Sequence, residues 1–546
     1  MQPDYAGTVQ RRFRGLIVGL VLALAAGCTF PSGPRPSPSP TGSAQTTPTP
    51  SGHPGTTEVA GVTVSDRPGK AIDRPILAAV DVSPEGYREA PSGKGLVGYL
   101  DQEVAWTTCG EGTTCTDIAV PLDYANPSAQ AITVSLKKRA ATASPRLGSL
   151  FLNPGGPGGT GQDMVDTTQR TGLEQYDLIG WDPRGTGDST PVRCFSDAEA
   201  DAYNDLDFSP DTEPERAQLI KSTAALAQSC WETSGELLNH ISTIETVRDL
   251  DLMRHLVGDE TLHFLGYSYG TQIGATYAEL FPSHVGRLVL DAAVNITEND
   301  DVIQSMGFDL ALGNFAAWCP RQTTCPLGGS KQEVLDGITA LFDKLDAEPI
   351  PVGDRRLTQS LAMMGVAALL YGGKEAWPTL VSLIEQAGRG NGRGLLWAGD
   401  QLNARNDQGG YDTMFYAFPA ISCLDSVDDG VVDADTTWRE DKQKAPIFGT
   451  YFGPQYICAL WPVRPAPQLT IAGAGAAPIL VIGGKGDNAT PYQQAVTMAK
   501  QLTSGVLVTY TGEGHGTYGG KSACVDRIVV KYLVSGTVPK DGVTCS

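Results

Sequence analysis

Strand-like apolar runs alternate with segments of helical periodicity along much of the chain. The runs lie at residues 133–137, 148–152, 177–181, 261–265 and 286–290. Before the fourth run, apolar side chains recur every three or four residues in ISTIETVRDLDLMRHLVG, which is typical of a helix packed on one face. Strands that alternate with helices build a sheet covered by helices on both sides. The pattern therefore predicts an α/β fold with a doubly wound, mostly parallel sheet.

The strand pattern is interrupted between residues 298 and 470. Helical segments such as KQEVLDGITALFDKLD at 331–346 take over there, and strands resume at residue 478. We predict a core made of residues 101–297 and 471–546, with a mostly helical insertion at 298–470. Because both ends of the insertion join loops at the carboxyl ends of strands, it should form a cap over the site that those loops build.

The run GYSYG at 266–270 follows one of the predicted strands and matches G-x-S-x-G. The residues after it, TQIGATYAELF, carry small side chains at helical spacing. A strand, a sharp turn and a helix are the context in which this motif presents a nucleophilic serine in the α/β-hydrolase fold. The motif is short enough to occur by chance in a chain with 64 glycines. Its context predicts that Ser268 is the nucleophile.

A nucleophilic serine needs a histidine as its base, and in this fold the histidine follows the serine along the chain. Only His284 and His515 follow Ser268. His284 lies in the connection that leads into a strand, at the wrong end of the sheet. His515 lies in a glycine-rich loop just after the predicted strand at 506–510. Because α/β sheets place their chemistry at the carboxyl ends of strands, we predict that His515 is the base.

The acid that orients the histidine should also end a strand and follow the serine. Asp487 follows the apolar run at 477–484 and is the predicted acid. Asp291, at the end of RLVLD, also ends a strand and stays open as the alternative. Asp182 ends a strand as well, but it precedes the serine.

The glycine-rich run FLNPGGPGGTG at 151–161 follows another predicted strand and can expose several backbone amides. A flexible surface loop is the ordinary interpretation of such a run. In this fold, however, the oxyanion hole combines an amide from such a loop with the amide of the residue after the nucleophile. We therefore predict that Tyr269 supplies one donor and this loop the other.

From about residue 104 to 546, the chain resembles the secreted tripeptidyl aminopeptidases of actinobacteria, α/β-hydrolases related to the proline iminopeptidases. The resemblance is carried by WTTCGEGTTCTDIAVPLDY (106–124), NPGGPGG (153–159), DPRGTGDS (182–189), GYSYGT (266–271), FP-x-x-V-x-R-x-V-L-D (281–291), GDNATP (486–491) and GEGHG (512–516).

The resemblance implies a triad of Ser268, Asp487 and His515. It also aligns NPGGPGG with the HGGPG loop of the iminopeptidases, which makes Gly156 the implied loop donor and Gly155 its alternative. The implied activity is the release of tripeptides from the free N-terminus of an oligopeptide. A carboxylesterase or lipase uses the same triad and stays the alternative function.

An enzyme that binds a free N-terminus must accommodate an ammonium group, because the pKa of an α-amine is near 8. A buried ammonium needs an acidic partner. Asp425, in AISCLD within the predicted cap, is the first candidate, since the family carries a similar cysteine–acid run. A surface aspartate beside a disulfide is the alternative interpretation.

The N-terminal segment predicts export. Three arginines precede an apolar stretch at 16–26 that is typical of a signal peptide. The stretch ends in LAAGC and places Cys28 where a bacterial lipobox has its lipidated cysteine, although Ala25 replaces the usual leucine. We predict a lipoprotein signal peptide at 1–28 and a Pro/Ser/Thr-rich tether with an N-terminal extension at 29–100. The protein should lie on the extracellular side of the cell membrane, or be secreted.

Eleven cysteines are present, so ten remain after Cys28. An even number in an exported chain predicts disulfides, and none of the spacings is C-x-x-C. Ten cysteines allow many connectivities, but their spacing suggests pairs of neighbours. These pairs are Cys109–Cys115, Cys194–Cys230, Cys319–Cys325, Cys423–Cys458 and Cys524–Cys545.

The net charge of −21 argues against binding to nucleic acid or to anionic lipid. The sequence has no phosphate-binding loop of the G-x-x-x-x-G-K type and no pattern of metal ligands. We predict a monomer that uses neither cofactor nor metal, takes a peptide with a free N-terminus, and meets the membrane only through its lipid anchor.

Overall fold

The computed structural model describes the chain from the N-terminal extension to the C-terminus. The described residues are 56–59, 61–65, 80, 82–297, 301–427 and 430–546. The predicted signal peptide and Cys28 lie outside them, as does most of the predicted tether. Among the described helices, none is long and apolar enough to cross a membrane.

The strands are β1 (Thr56–Val59), β2 (Val62–Ser65), β3 (Tyr87–Arg88), β4 (Thr107–Gly110), β5 (Thr113–Pro121), β6 (Ala131–Arg139), β7 (Gly148–Asn153), β8 (Tyr176–Trp181), β9 (Leu262–Tyr267), β10 (Val285–Asp291), β11 (Ile350–Val352), β12 (Arg355–Leu357), β13 (Ile479–Gly486), β14 (Gly505–Glu513) and β15 (Val543–Cys545).

The α-helices are α1 (Val97–Leu100), α2 (Gly161–Thr167), α3 (Asp197–Asn204), α4 (Glu213–Ser234), α5 (Thr243–Leu256), α6 (Tyr269–Leu280), α7 (Gln304–Trp318), α8 (Lys331–Ala347), α9 (Gln359–Leu370), α10 (Trp377–Gly388), α11 (Arg393–Leu402), α12 (Met414–Asp425), α13 (Val431–Lys444), α14 (Phe448–Tyr451), α15 (Tyr456–Ala459), α16 (Tyr492–Gln501) and α17 (Ala523–Ser535).

One sheet of 11 strands forms the centre of the molecule. Its order is β15-β14-β13-β10-β9-β7-β8-β6-β5-β4, and β3 pairs with β6. Every neighbouring pair from β8 to β15 is parallel, whereas β3 to β6 are joined to their neighbours in antiparallel fashion. The central strands are mostly apolar because helices cover both faces, and all six residues of β7 are buried. The predicted mostly parallel α/β-hydrolase sheet is confirmed.

Helices α7 to α15 lie between β10 and β13 and build the predicted helical insertion. They enclose a hydrophobic cluster of their own, with Phe308, Phe315, Phe342 and Trp377 among its buried members. The short hairpin of β11 and β12 also lies in this cap, which the sequence had predicted to be mostly helical without locating this hairpin.

All five predicted cysteine pairs are joined by disulfides. Within the cap, Cys423–Cys458 links α12 to α15. Near the C-terminus, Cys524–Cys545 links α17 to the edge strand β15.

An ion pair joins the cap to the rest of the chain. Arg405 of the cap donates to both carboxylate oxygens of Asp201, at 2.6 and 2.9 Å.

Candidate active site

Ser268 lies in the sharp turn between β9 and α6. Its φ of 55° and ψ of −125° are a strained conformation for a residue with a side chain. The positions near the serine on either side leave no room for a side chain. A Cβ atom on Gly266 would lie only 2.5 Å from the carbonyl oxygen of Gly270. A Cβ atom on Gly270 would lie 2.8 Å from Oδ1 of Asn153. The turn has the strand–turn–helix geometry that presents a nucleophilic serine.

His515 and Asp487 are brought together from the loops after β14 and β13. The Nδ1 atom of His515 lies 2.8 Å from Oδ1 and 3.1 Å from Oδ2 of Asp487. Asp487 is buried, and its Oδ1 also accepts hydrogen bonds from the backbone N–H groups of Ala489 and Thr490, at 3.0 and 2.9 Å. Because a carboxylate only accepts, Nδ1 carries the proton and Nε2 is left as the acceptor.

The Nε2 atom of His515 has no hydrogen-bond partner among the described residues. It is therefore available to take a proton from a nearby hydroxyl. Hydrogen bonds between nucleophile and base often form fully only when substrate is bound. The loop of the base lies next to the nucleophile turn, because a Cβ atom on Gly516 would lie 3.4 Å from the ring of Tyr267. The arrangement therefore suits a base for Ser268.

The other histidine after the serine is His284, which lies just before β10, as predicted. Asp291 lies at the other end of this strand, so His284 is at the end of the sheet away from the site. Its Nδ1 lies 2.8 Å from Oδ1 of Asp251, so it belongs to a second Asp–His pair. Asp291, the alternative acid, is fully buried but bonds to backbone N–H groups rather than to the ring of His515.

Two further residues hold the backbone of His515 in place. The His515 N–H donates to the carbonyl of Tyr371, which follows α9 of the cap, at 3.1 Å. The Nζ atom of Lys521 donates to the His515 carbonyl at 2.6 Å. The Tyr371 ring also meets the imidazole edge to face, with 5.3 Å between centroids. No local sequence pattern points to Tyr371, because this residue reaches the site only through the packing of the cap.

Thr490 is another contact that the sequence analysis missed. Its Oγ1 lies 3.4 Å from the Nδ1 of His515, on the side of the ring that faces Asp487. A signal for it was present, since Thr490 belongs to the same GDNATP run as the acid.

The glycine-rich loop lies against the nucleophile turn, as predicted. A Cβ atom on Gly155 would lie 2.9 Å from the backbone nitrogen of Tyr269 and 3.0 Å from Cβ of Ser268. The Gly155 N–H, however, already donates to Oδ1 of Asn153 at 2.9 Å. Among the described residues, nothing accepts a hydrogen bond from the Gly156 N–H.

The second predicted donor, the N–H of Tyr269, lies at the first position of α6. The first N–H groups of a helix have no acceptor within the helix, and they carry partial positive charge. The N–H groups of Tyr269 and Gly156 are free to serve as oxyanion-hole donors, whereas that of Gly155 is already bonded. Gly156 therefore stays the predicted loop donor.

Asp425, the last residue of α12, lies near this turn. Its carboxylate accepts hydrogen bonds from Thr243, through the backbone N–H at 2.9 Å and through Oγ1 at 2.5 Å. The hydroxyl of Tyr269 also bonds to Oγ1 of Thr243. Burial raises the pKa of Asp425 to about 7, and the two bonds from Thr243 oppose that rise. The carboxylate forms no ion pair with any cation of the described chain.

A cavity of about 200 Å³ lies between α4 and the cap helices. Apolar side chains such as Met363, Leu402 and Phe418 line most of it, and none of the three triad residues does. The backbone of Phe418 also packs against Gly158 of the glycine-rich loop. The cavity is thus separated from that loop by α12 and belongs to the cap.

Within the part of the chain that the structure describes, no group of three or more His, Cys, Asp or Glu side chains is placed to hold a metal ion. A serine, a histidine held by an aspartate, and two free amides are the parts that acyl transfer requires.

The chain is similar in sequence to known proteins. The family model described as TAP-like protein matches residues 445–545. The chain is 34% identical over 485 residues to serine protease Hip1 of Mycobacterium tuberculosis, which covers 82% of this chain and 91% of that protein. It is 35% identical over 479 residues to carboxylesterase B of the same species, covering 81% and 90% of the two chains.

A tripeptidyl aminopeptidase of Streptomyces lividans is 29% identical over 457 residues, covering 79% of this chain and 83% of that one. The resemblance drawn from the sequence motifs is thereby confirmed. With 82% of its length matched at 34% identity, the chain belongs to the TAP-like family of α/β-hydrolases and is a serine hydrolase.

Proposed function

We propose that the protein is an exported peptidase that releases tripeptides, or similarly short peptides, from the free N-termini of oligopeptides. The observation that carries the proposal is Asp425, a half-buried carboxylate without a cationic partner in the described chain, linked through Thr243 to the residue that follows the nucleophile. A substrate ammonium would supply the missing positive charge.

The triad geometry supports an acyl-enzyme mechanism. The Nε2 atom of His515 takes the proton of Ser268 as the hydroxyl attacks the substrate carbonyl. The tetrahedral oxyanion is stabilised by the N–H groups of Tyr269 and Gly156. The leaving amine departs with the proton from His515, and water then hydrolyses the acyl-enzyme by the same steps.

The electrostatics of Asp425 suit the recognition of an amine. Its pKa of about 7 shows that burial disfavours the charged form in the empty site. An ammonium bound beside the carboxylate favours the charged form and lowers that pKa. The ammonium in turn needs the carboxylate, because a buried cation without a partner is costly. Each group thus offsets the desolvation of the other.

A carboxylesterase is the second candidate function. Carboxylesterase B of Mycobacterium tuberculosis is 35% identical to this chain, and ester hydrolysis uses the same triad. An uncharged ester has no ammonium, however, and would leave Asp425 without a cationic partner. The two candidates therefore differ in what they require of the cap acid.

The deciding experiment compares three substrates with one chromogenic leaving group: a tripeptide amide with a free amine, its N-acetylated form, and an acyl ester. We expect kcat/KM for the free amine to exceed that for the acetylated form by at least about tenfold, or about 1.4 kcal/mol. In Asp425→Asn this preference should disappear while ester hydrolysis persists.

Asp309→Asn provides a matched control. Asp309 is another cap carboxylate with two hydrogen bonds, which it accepts from the N–H groups of Ile447 and Phe448 at 3.1 and 2.7 Å. This variant should keep the preference for the free amine. Equal rates on the two peptides, together with faster cleavage of the ester, would assign the protein to the carboxylesterases.

We also propose that the enzyme works outside the cell membrane as a lipid-anchored monomer without a nucleic-acid partner. The signal-peptide pattern and Cys28 support export and anchoring. Five disulfides suit an oxidising compartment. The net charge of −21 opposes contact with nucleic acid.

A further inference from the structure

Asp291 occupies a central place among the strands that carry the site. Ser268 follows β9, Asp291 ends β10, Asp487 follows β13, and the loop of His515 follows β14. These four strands are consecutive in the sheet. To reach Ser268, the loop that carries His515 must therefore cross the ends of β13 and β10.

At this crossing, the Asp291 side chain is bonded to the histidine loop. Its Oδ2 accepts hydrogen bonds from the backbone N–H groups of Thr517 and Tyr518, at 2.9 and 2.6 Å. These donors lie two and three residues beyond His515. Oδ1, in contrast, has no hydrogen-bond partner among the described residues.

The backbone of Asp291 is bonded to the other half of the site. Its carbonyl oxygen accepts a hydrogen bond from the N–H of Ser268 at 3.0 Å. A single buried residue thus contacts both the nucleophile turn and the loop of the base. The imidazole itself is bonded to Asp487, so Asp291 does not occupy the place of the triad acid.

We propose that Asp291 is a positioning residue, whose carboxylate holds the loop of His515 at the distance from Ser268 that proton transfer requires. Burial raises the pKa of Asp291 to about 6, and the hydrogen bonds from Tyr518 and Thr517 oppose that rise. The inference depends only on the serine hydrolase activity and applies equally to peptide and ester substrates.

Three substitutions separate position from charge. Asp291→Asn can place its amide oxygen where Oδ2 lies and keep both hydrogen bonds without the charge. Asp291→Glu keeps the charge, but its longer side chain cannot place an oxygen at the same point. Asp291→Ala leaves the N–H groups of Thr517 and Tyr518 buried without an acceptor.

The test measures the rate constant for labelling of Ser268 by a fluorophosphonate probe, together with kcat and KM on a chromogenic ester. Labelling reports the serine and histidine without depending on peptide recognition. We expect Asp291→Ala and Asp291→Glu to lose about 100-fold in labelling and in kcat, since a small misplacement of catalytic groups has this effect. KM should change little, and Asp291→Asn should retain most of the activity.

The proposal is overturned if Asp291→Glu stays active while Asp291→Asn is inactive, because charge would then be the requirement. Wild-type labelling by Asp291→Ala would overturn it as well. Near-ultraviolet circular dichroism identifies a variant that fails to fold. If Asp291→Ala is lost in this way, the comparison of the Asn and Glu variants still decides between position and charge.

Discussion

Replacing Asp487 by asparagine should remove most of the turnover and leave the fold intact. Oδ1 of Asp487 accepts hydrogen bonds from the N–H groups of Ala489 and Thr490, so the amide oxygen of asparagine must take that place to satisfy them. The amide NH₂ then occupies the place of Oδ2, 3.1 Å from Nδ1 of His515.

The amide oxygen keeps the 2.8 Å contact with Nδ1, but the negative charge that stabilises the imidazolium is lost. The NH₂ group can only donate, so it also favours the tautomer in which Nδ1 accepts and Nε2 carries the proton. A protonated Nε2 cannot take the proton of Ser268. The same substitution in another Ser-His-Asp enzyme lowers kcat about 10⁴-fold through the wrong tautomer. At 1.36 kcal/mol for each factor of ten, this corresponds to about 5.4 kcal/mol of transition-state stabilisation.

The assay is the steady-state kcat on a chromogenic ester, with the thermal midpoint measured alongside. The second Asp–His pair provides the control, because Asp251 and His284 have the same 2.8 Å contact at the opposite end of β10. Asp251→Asn should turn over at the wild-type rate. The reasoning is refuted if Asp487→Asn keeps more than about a tenth of the wild-type kcat while the protein is folded.

Three further predictions follow from other parts of the molecule. Arg184 is fully buried and donates to both oxygens of Asp249 at 2.7 Å, so Arg184→Met should lower the free energy of unfolding by about 3–5 kcal/mol, measured by denaturant titration. The preference for free-amine peptides should rise as the pH passes about 7, where Asp425 ionises, and fall above about 8, where the substrate amine loses its proton. A pH profile of kcat/KM measures both changes, and the rise should be absent in Asp425→Asn. Cys28→Ala should move the protein from the membrane fraction to the medium, and a soluble wild type whose mature N-terminus lies elsewhere would contradict the anchor.

The nucleophile turn could be predicted from the sequence because its determinants are local. A strand, two glycines and a helix of small residues surround Ser268 within a short segment. The order of residues along the chain and their positions at strand ends then left His515 as the base, and Asp487 with Asp291 as candidates for the acid. The order of strands in the sheet distinguishes Asp487 from Asp291, because β13 is the neighbour of β14 whereas β10 lies one strand further away.

Other features could not be read from local patterns. The hairpin of β11 and β12 has only three residues in each strand and lies within a helical region, so its periodicity was too short to detect. Its signal was the turn at Gly353, whose φ of 63° suits glycine. Tyr371 and Thr243 reach the site only through tertiary packing, which a single sequence does not reveal.

These tertiary contacts show that the cap is part of the catalytic centre. The sheet places Ser268, Asp487 and His515, but the N–H of His515 finds its acceptor in Tyr371 of the cap. The imidazole also packs against the ring of that residue, and the acid at the end of α12 lies beside the nucleophile turn. A core without the cap would leave the His515 N–H without its acceptor and one face of the ring uncovered. The position of the base is therefore a joint property of cap and sheet, so a change in cap packing should alter kcat as well as substrate choice.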